Sequence, residues 1–289
     1  MLLRLMISLA AGFVIAALVG KIYVPWLRRI KAGQEIREVG PEWHKTKAGT
    51  PTMGGVIFIA AVTVVVLTVG LSDILKRNFG SLYVLLFSLF FGAIGFLDDY
   101  EKLKKKQNLG LSAKAKFILQ LVVAIVLLLL LRNEGFLQAH LYVPFWNVTF
   151  DIPEWLYFVL AAFIVVGTVN AVNLTDGLDG LAASVTLPVM VCYTAVAFAW
   201  GMQFSALGIF AAGLTGGLMG FLLYNFYPAK CFMGDTGSLF LGGAVCGMAF
   251  ALDMPLILIP LGIIYIIETL SDIIQVGYFK LTHGKRVFK

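Results

Sequence analysis

Residues 81–117 read SLYVLLFSLFFGAIGFLDDYEKLKKKQNLGLSAKAKF, and this segment indicates what kind of fold to expect. Its first part, residues 81–97, is mainly apolar, and a membrane-spanning helix needs roughly 20 residues of this kind. Two adjacent aspartates, Asp98 and Asp99, follow directly, and six lysines lie between residues 102 and 116. We therefore predict a helix that crosses a membrane and ends at a strongly charged face.

The composition of all 289 residues agrees with a membrane protein. Hydrophobic residues make up 60% of the chain and charged residues only 13%, with a mean hydropathy of +0.92. Soluble domains are about half apolar and about a quarter charged. We predict an all-α polytopic membrane protein with a single integral membrane domain, residues 1–289. Nine apolar segments are candidate transmembrane helices: residues 4–27, 53–71, 81–97, 117–131, 155–172, 181–200, 206–224, 238–252 and 255–279.

The positions of lysine and arginine predict the orientation. Most of the 22 basic residues fall in the loops after the first and third predicted spans and in the C-terminal tail, and such residues accumulate in cytoplasmic loops. We therefore predict that the N-terminus lies outside, and that the net charge of +6 serves topology and contact with membrane lipids rather than nucleic acid. The longest outer loop, about 132–153, alternates enough to predict a small periplasmic hairpin.

Aspartates gather at the predicted cytoplasmic face. They end the third span or lie between later spans: Asp98, Asp99, Asp176, Asp179 and Asp235. A carboxylate at a helix C-terminus is disfavoured by roughly 0.3–1 kcal/mol, whereas Lys102, four residues after Asp98, returns only about 0.2–0.5 kcal/mol. A divalent metal or a cationic clamp for a transition state would compensate better. The alternative is a solvated helix end with ordinary topogenic lysines.

Two glycine-rich segments, TDGLDG (175–180) and GDTGS (234–238), place aspartates at the starts of predicted spans. Backbone N–H groups at a helix N-terminus can bind phosphate, and carboxylates beside phosphates are ligands for Mg²⁺. The alternative is a pair of glycine-rich turns capped by aspartate. Together with the lysines on the same face, the segments indicate metal-assisted phosphoryl transfer on a cytosolic phosphorylated substrate.

Four motifs give the chain a resemblance to a known family: KTKAGTPTMGG (45–55), FLDDYEK (96–102), NAVNLTDGLDGLA (170–182) and CFMGDTGSLFLGG (231–243). From about residue 20 to the last residue, the chain resembles the polyprenyl-phosphate N-acetylhexosamine-1-phosphate transferases of the bacterial plasma membrane. The first motif resembles the muramoyl-pentapeptide branch. The resemblance implies an enzyme of peptidoglycan biosynthesis that moves phospho-N-acetylmuramoyl-pentapeptide from its UDP-linked donor to undecaprenyl phosphate. The products would be lipid I and UMP, and the cofactor Mg²⁺.

The resemblance also implies roles for individual residues. Asp98, Asp99 and Asp235 would be catalytic, with the acidic pair near the lipid phosphate and Asp235 as the Mg²⁺ ligand. The remaining residues would bind substrate, the lysines at phosphates and most of the others around the uridine: Lys47, Lys102, Lys106, Lys114, Asn173, Asp176, Gly177, Leu178, Asp179, Asn225, Phe232 and Gln275. Phe232 would stack on the base, and Asn225 would support the centre.

The mechanism that we expect is an in-line displacement at the β-phosphorus of the donor. Asp98 would orient or deprotonate the acceptor phosphate, and a two-step route through an aspartyl-phosphate is left open. The family also carries a histidine-rich cytoplasmic loop and a tenth span beyond HGKRVFK (283–289), so we expect that this chain is truncated at its C-terminus.

Two other functions and one assembly are compatible with the sequence. The sister enzyme transfers N-acetylglucosamine-1-phosphate to the same lipid. A secondary transporter is a remote alternative, because intramembrane acids often mark ion paths, but a transporter should place them near the membrane midplane. A homodimer is the assembly to consider.

Overall fold

A computed structural model of the chain describes residues 1–30, 49–105, 107, 109–143, 146–284 and 287. These residues form eleven α-helices and one two-stranded sheet. The helices are α1 (Leu2–Arg29), α2 (Val56–Thr68), α3 (Leu71–Leu75), α4 (Gly80–Lys105), α5 (Ala113–Asn133), α6 (Glu154–Thr175), α7 (Leu181–Trp200), α8 (Ser205–Asn225), α9 (Gly234–Ala251), α10 (Leu258–Leu261) and α11 (Ile263–Leu281). The strands are β1 (His140–Val143) and β2 (Val148–Asp151).

Six helices in the described part of the chain are long and apolar enough to cross a membrane: α1, α4, α5, α6, α7 and α8. The pair of α10 and α11 adds a seventh if it is counted as one span. With a sheet of only two short strands beside them, these helices confirm the predicted all-α polytopic membrane fold. The other two predicted spans contain α2, which has 13 residues, and α9, so the count of nine spans stays a prediction.

The last predicted span, residues 255–279, is not one straight helix. A turn of 3-10 helix leads into α10, and α11 begins at Ile263 after a bend of 74°. Pro260 and Gly262 lie at the break. Proline removes an amide donor from a helix, and glycine costs about 1 kcal/mol relative to alanine, so together they favour a bend at this point.

The helices α8 and α9 occupy the centre of the bundle, and most residues of both are buried. α8 packs against α1, α2 and α7, whereas α9 packs against α4 and α6. Glycines permit the closest approach: an added Cβ at Gly216 would lie 1.9 Å from the carbonyl oxygen of Leu9, and one at Gly12 would lie 2.2 Å from that of Gly213. The interface between α1 and α8 therefore brings backbone against backbone, as small residues allow in membrane helix pairs.

The two ends of the bundle carry different groups. α4 ends and α9 begins at one end, which we call the acidic end because it carries Asp98, Asp99 and Asp235. At the other end β1 pairs antiparallel with β2, which confirms the predicted hairpin. There Nε2 of His140 lies 3.1 Å from Oδ2 of Asp253 and joins the hairpin to the segment that follows α9.

Candidate active site

The acidic end forms where the last turns of α4 meet the first turn of α9. Gly95 makes this contact possible, because an added Cβ there would lie 2.0 Å from the carbonyl oxygen of Asp235. As a result, one carboxylate oxygen from each of Asp98, Asp99 and Asp235 lies within 4.8 Å of the others. The first two are buried, and Asp235 is partly exposed. Three carboxylates this close form a set of oxygen donors that suits a hard divalent cation.

Two lysines reach the same carboxylates. Nζ of Lys102 lies 2.6 Å from Oδ2 of Asp98 and 3.0 Å from Oδ2 of Asp235. Nζ of Lys116, in the first turn of α5, lies 2.8 Å from the same oxygen of Asp235. The predicted ion pair of Asp98 with Lys102 is confirmed. The cluster therefore combines cation-binding oxygens with ammonium groups that can hold phosphate oxygens, as phosphoryl transfer requires.

The adjacent aspartates of α4 have different hydrogen-bond partners. Oδ1 of Asp98 accepts a bond of 2.8 Å from the backbone N–H of Leu111. Asp99 accepts from the backbone N–H groups of Asp235 and Thr236, at 3.2 and 2.9 Å, and from the Thr236 hydroxyl at 2.7 Å. The expectation that the start of α9 offers free N–H groups to phosphate is therefore wrong for these two amides, because a carboxylate already accepts their hydrogen bonds.

The last turn of α6 brings further polar groups to the acidic end. Nδ2 of Asn173 donates to Oδ1 of Asp235 at 2.9 Å and to the hydroxyl of Ser238 at 2.7 Å. Asp176 follows directly after the last residue of α6. Burial, and after it the negative charge of Asp235, raises the pKa of Asp176 well above its usual value. The Asp176 carboxyl is therefore part of the same electrostatic group as the cluster on α4 and α9.

The turn between α6 and α7 is held by the connection between α8 and α9. The N–H of Gly180 donates to Oδ1 of Asn225 at 3.1 Å, and Nδ2 of Asn225 donates to the carbonyl oxygen of Cys231 at 3.0 Å. Oδ2 of Asp179 accepts from the N–H of Ala229 at 3.0 Å. Asn225 is buried and bonds to backbone at both ends of its amide, so its described contacts support the turn.

Residues 51–55 lie against the loop that leads into α9. The N–H of Phe232 donates to the carbonyl oxygen of Pro51, and the N–H of Gly54 donates to the carbonyl oxygen of Phe232, both at 2.8 Å. A third backbone bond of 2.9 Å joins Gly55 to the next carbonyl of the loop. These bonds fix the backbone of Phe232, which is partly exposed and lies three residues before Asp235 in the sequence.

Known proteins are similar to this chain over most of its length. Residues 81–253 match the family model described as glycosyl transferase family 4, and residues 47–59 match phospho-N-acetylmuramoyl-pentapeptide-transferase signature 1. A phospho-N-acetylmuramoyl-pentapeptide-transferase of Clostridium acetobutylicum is 46% identical over 286 residues, which cover 98% of this chain and 86% of the relative. Proteins of the same name from Heliobacterium modesticaldum and Oceanobacillus iheyensis are 49% and 44% identical; the matches cover 96% and 99% of this chain, and 85% and 86% of those relatives.

The chain belongs to the phospho-N-acetylmuramoyl-pentapeptide transferase family. It is thus a phosphosugar transferase and a multi-pass bacterial membrane protein. Membership of this transferase family also decides against the secondary transporter, and the described acidic cluster lies at the end of the helices rather than in the middle of a broken span.

Two of the residues predicted to bind substrate contact the carboxylates, and two others do not contact them in the described structure. Lys102 and Asn173 both bond to Asp235. Lys114 is exposed at the start of α5. Gln275 is exposed on α11, where its side-chain amide donates to the hydroxyl of a serine one turn earlier at 3.0 Å. No described contact therefore joins Lys114 or Gln275 to the carboxylate cluster.

Two further predicted residues lie in the turn after α6, and two lie outside the described residues. Gly177 and Leu178 are exposed in that turn, where a ligand can approach them. Lys47 and Lys106 lie outside the described residues.

Lys116 was not among the residues predicted from the sequence, although it contacts Asp235, whereas Lys114, which was expected to hold phosphate, is exposed. Ser112 caps α5 by accepting a bond from the N–H of Ala115 at 3.3 Å. Residues two apart in a helix point in nearly opposite directions, so only one of the two lysines can face the cluster. Gln120, four residues after Lys116 and buried, is the signal that marks the inward face of this otherwise apolar helix.

Proposed function

We propose that this protein transfers phospho-N-acetylmuramoyl-pentapeptide from its UDP-linked donor to undecaprenyl phosphate, with release of UMP and formation of lipid I. The observation that carries the proposal is the convergence on Asp235 of two carboxylates, two lysines and an amide, in a chain whose relatives carry this enzyme's name. Such a group binds cations and phosphates together, which is what a pyrophosphate donor and a phosphate acceptor require.

We propose Mg²⁺ as the metal, with Asp235 as its protein ligand beside Asp98 and Asp99. Mg²⁺ prefers oxygen ligands and usually takes one or two carboxylates together with substrate phosphates, and the partly exposed carboxylate of Asp235 fits that requirement. When bound, the ion supplies charge neutralisation on the pyrophosphate of the donor.

In the proposed reaction an acceptor phosphate oxygen forms a bond to the β-phosphorus of the donor, and the bond from that phosphorus to the bridging oxygen breaks and releases UMP. Asp98 orients the acceptor phosphate or takes its remaining proton; because the second pKa of a phosphate is about 6, little deprotonation is needed. Lys102 and Lys116 hold negative charge on the phosphates near Asp235. Burst release of UMP with donor alone would instead indicate a two-step route through an aspartyl-phosphate.

A groove on the membrane-facing side of the bundle supports a lipid acceptor. It lies between α5 and α6, has a volume of about 630 Å³ and is almost wholly apolar. Phe117, which follows Lys116, lines it near the acidic end, and so does Asn170, whose Nδ2 donates to Oε1 of Gln120 at 2.7 Å. A polyprenyl chain in this groove would bring its phosphate toward Lys116.

We propose that the nucleotide is bound around the turn after α6. The residues assigned to this side are Asn173, Asp176, Gly177, Leu178, Asp179, Phe232 and Gln275, with Asn225 as support. Phe232 is partly exposed and can stack on the uracil ring. The lysines assigned to phosphates also include Lys47, Lys106 and Lys114, and exposure of the last agrees with a contact made only when the donor is bound.

We propose that the acidic end faces the cytoplasm of a bacterial plasma membrane and that the N-terminus lies outside. The lysines and arginines that follow the first and third predicted spans in the sequence support this orientation. Single cysteines introduced at Leu2 and at Gln107 test it in intact cells: a membrane-impermeant thiol reagent should label the first and spare the second. The reverse pattern would refute the orientation.

The transfer reaction itself is tested with purified protein, radiolabelled UDP-N-acetylmuramoyl-pentapeptide, undecaprenyl phosphate, and either Mg²⁺ or chelator. We expect labelled lipid I only with Mg²⁺ and none from Asp235→Asn. Excess unlabelled UDP-N-acetylglucosamine should not compete; effective competition would favour the sister enzyme. The mass of the same protein in detergent tests the homodimer.

A further inference from the structure

The helix α9 begins without a cap from its own segment. Met233, at the N-cap position, makes no side-chain hydrogen bond to the helix. The first N–H groups of an α-helix have no partner within the helix and are usually satisfied by a side chain near the N-terminus. In this protein the partner comes from a different helix, because Asp99 of α4 accepts from the N–H groups of Asp235 and Thr236.

These bonds occupy most of the hydrogen-bond acceptor capacity of the Asp99 carboxylate. Oδ1 accepts the Asp235 N–H, and Oδ2 accepts both the N–H and the hydroxyl of Thr236. Nζ of Lys102 is 3.9 Å from Oδ1, which is beyond hydrogen-bond distance, and Asp99 is 3% exposed. Its neighbour Asp98 instead accepts from one backbone N–H and pairs with Lys102, so the two adjacent aspartates are not equivalent.

The backbone around this cap has little freedom to move. Gly234 has a φ of 76°, in the left-handed region that favours glycine, and an added Cβ there would lie 2.6 Å from Oδ2 of Asp99. On the other side, Gly95 permits α4 to touch the carbonyl group of Asp235. The position of the Asp99 carboxylate therefore determines where the backbone of Asp235 lies and in which direction its side chain leaves α9.

We infer that Asp99 is a positioning residue: it caps α9 from α4 and holds Asp235 in place, and it neither ligates the metal nor exchanges a proton with substrate. The inference rests on the proposed function of Asp235 as the metal ligand. The two adjacent aspartates then have different roles. Asp98 faces the reacting phosphates, and Asp99 acts through Asp235.

Thr236 offers a test that leaves every carboxylate in place. Thr236→Val removes the hydroxyl that bonds to Asp99 and keeps the shape of the side chain, whereas Thr236→Ser keeps the hydroxyl and serves as the matched control. Mn²⁺ binding to purified protein, followed by electron paramagnetic resonance, reports on the metal site without turnover. Thermal unfolding and the dependence of transfer on Mg²⁺ concentration are measured alongside.

For Thr236→Val we expect roughly a three- to tenfold weaker Mn²⁺ affinity, because the lost hydrogen bond to Asp99 acts on the metal only in part, through the position of Asp235. Its half-saturating Mg²⁺ concentration should rise in parallel, and kcat at saturating Mg²⁺ should stay within about twofold of the wild type. Thr236→Ser should match the wild type, and Asp99→Asn should weaken Mn²⁺ binding more than Thr236→Val does.

Two results would overturn the inference. Unchanged Mn²⁺ affinity in Thr236→Val, with only a lower melting temperature, would make the cap structural and nothing more. Wild-type Mn²⁺ affinity in Asp99→Asn, with turnover lost at saturating Mg²⁺, would place Asp99 at the reacting atoms. The proposed function fails differently: the wild type would then not bind Mn²⁺, or Asp235→Asn would bind it normally.

Discussion

Asp235 lies at the centre of the acidic cluster, since each of its oxygens has partners from other helices. Oδ2 faces the ammonium groups of Lys102 and Lys116, and Oδ1 accepts from Asn173. These partners come from α4, α5 and α6, so three separate helices fix the direction of one carboxylate. Charged hydrogen bonds are roughly twice as strong as neutral ones, and removing a single partner should therefore be measurable.

Lys116→Met should reduce kcat/KM by roughly 10- to 150-fold, because a hydrogen bond between charged groups contributes about 1.5–3 kcal/mol. Lys104→Met is the control, since Lys104 is an exposed lysine in the last turn of α4 and is not among the lysines assigned to phosphates. It should remain within about threefold of the wild type. Steady-state transfer assays on the two variants decide the matter, and an equal loss in both would contradict the assignment to Lys116.

Asp176→Asn should change stability in a way that depends on pH. The pKa of Asp176 is higher in the folded protein than its usual value of about 4, so its ionisation opposes folding as the pH rises through the folded-state pKa. Asparagine cannot ionise, and the variant should therefore melt at a higher temperature than the wild type at pH 8.

The difference in melting temperature between Asp176→Asn and the wild type should vanish below about pH 4, where both side chains are neutral. Thermal unfolding in detergent with chelator, measured across this range, provides the comparison. A variant that is less stable than the wild type at pH 8 would show that the carboxylate of Asp176 is stabilised by its surroundings.

At this level the sequence predicted that these acids lie together but not what holds them. Asp98, Asp99 and Asp235 do converge, because motifs at the ends of helices must share one face of the bundle. Lys116 was missed because its side-chain direction depends on where Ser112 caps α5. The start of α9 looked like a free phosphate site because no local pattern shows that a carboxylate from α4 accepts its hydrogen bonds.

Glycines determine how closely the central helices pack. α8 approaches α1 at Gly12, Gly213 and Gly216, where backbone atoms of one helix touch the other. Tyr224 at the end of the same interface donates its hydroxyl to the carbonyl oxygen of Ala17 at 2.6 Å. Contacts this close leave no volume for even one methyl group, and they bring the central helix α8 into register with its neighbour.

Gly216→Ala should lower the free energy of unfolding by roughly 1–3 kcal/mol, the usual cost of overpacking, because its Cβ would lie 1.9 Å from a carbonyl oxygen. Gly277→Ala, inside α11, is the control, since an added Cβ there meets nothing within 4 Å. That change should stabilise the protein by about 0.5–1 kcal/mol through helix propensity. Unfolding curves in detergent measure both; opposite signs are expected, and two equal shifts would refute the packing argument.

The positions of the helices could be predicted from apolar length, and a helix lies in every predicted span. One feature could not: α9 reads as a short, glycine-rich helix with no sign that it occupies the centre. Burial on all sides is a property of the assembled bundle, which the periodicity of one segment does not reveal.

The molecule as a whole has one polar end linked to a lipid-facing surface. The acidic end gathers three carboxylates and two lysines, and the groove between α5 and α6 leads from it along the apolar side of the bundle. A substrate with a charged head and a long hydrocarbon tail can therefore contact both features without leaving the membrane. The sequence predicted the charged face but could not indicate which helices border the groove.

Gly167→Phe should obstruct this groove, which Gly167 lines with open space beside it. We expect the KM for undecaprenyl phosphate to rise by at least roughly tenfold, because each apolar CH₂ group excluded from burial costs about 0.8 kcal/mol. The KM for the UDP-linked donor should stay within about twofold. Ala10→Phe on the exposed face of α1 is the control and should change neither constant; a similar rise in that variant would mean that the groove has no special role.

The glycines that surround the start of α9 also restrict which acid the site can use. Gly95 already brings α4 against the carbonyl of Asp235, and Gly234 leaves no gap beside Asp99. The backbone at the start of α9 therefore cannot shift to accommodate a longer side chain at position 235. Asp235→Glu preserves the charge but extends the carboxylate by one methylene. We expect this variant to transfer almost as poorly as Asp235→Asn in the same assay, since the length of the side chain at position 235 should matter as much as its negative charge.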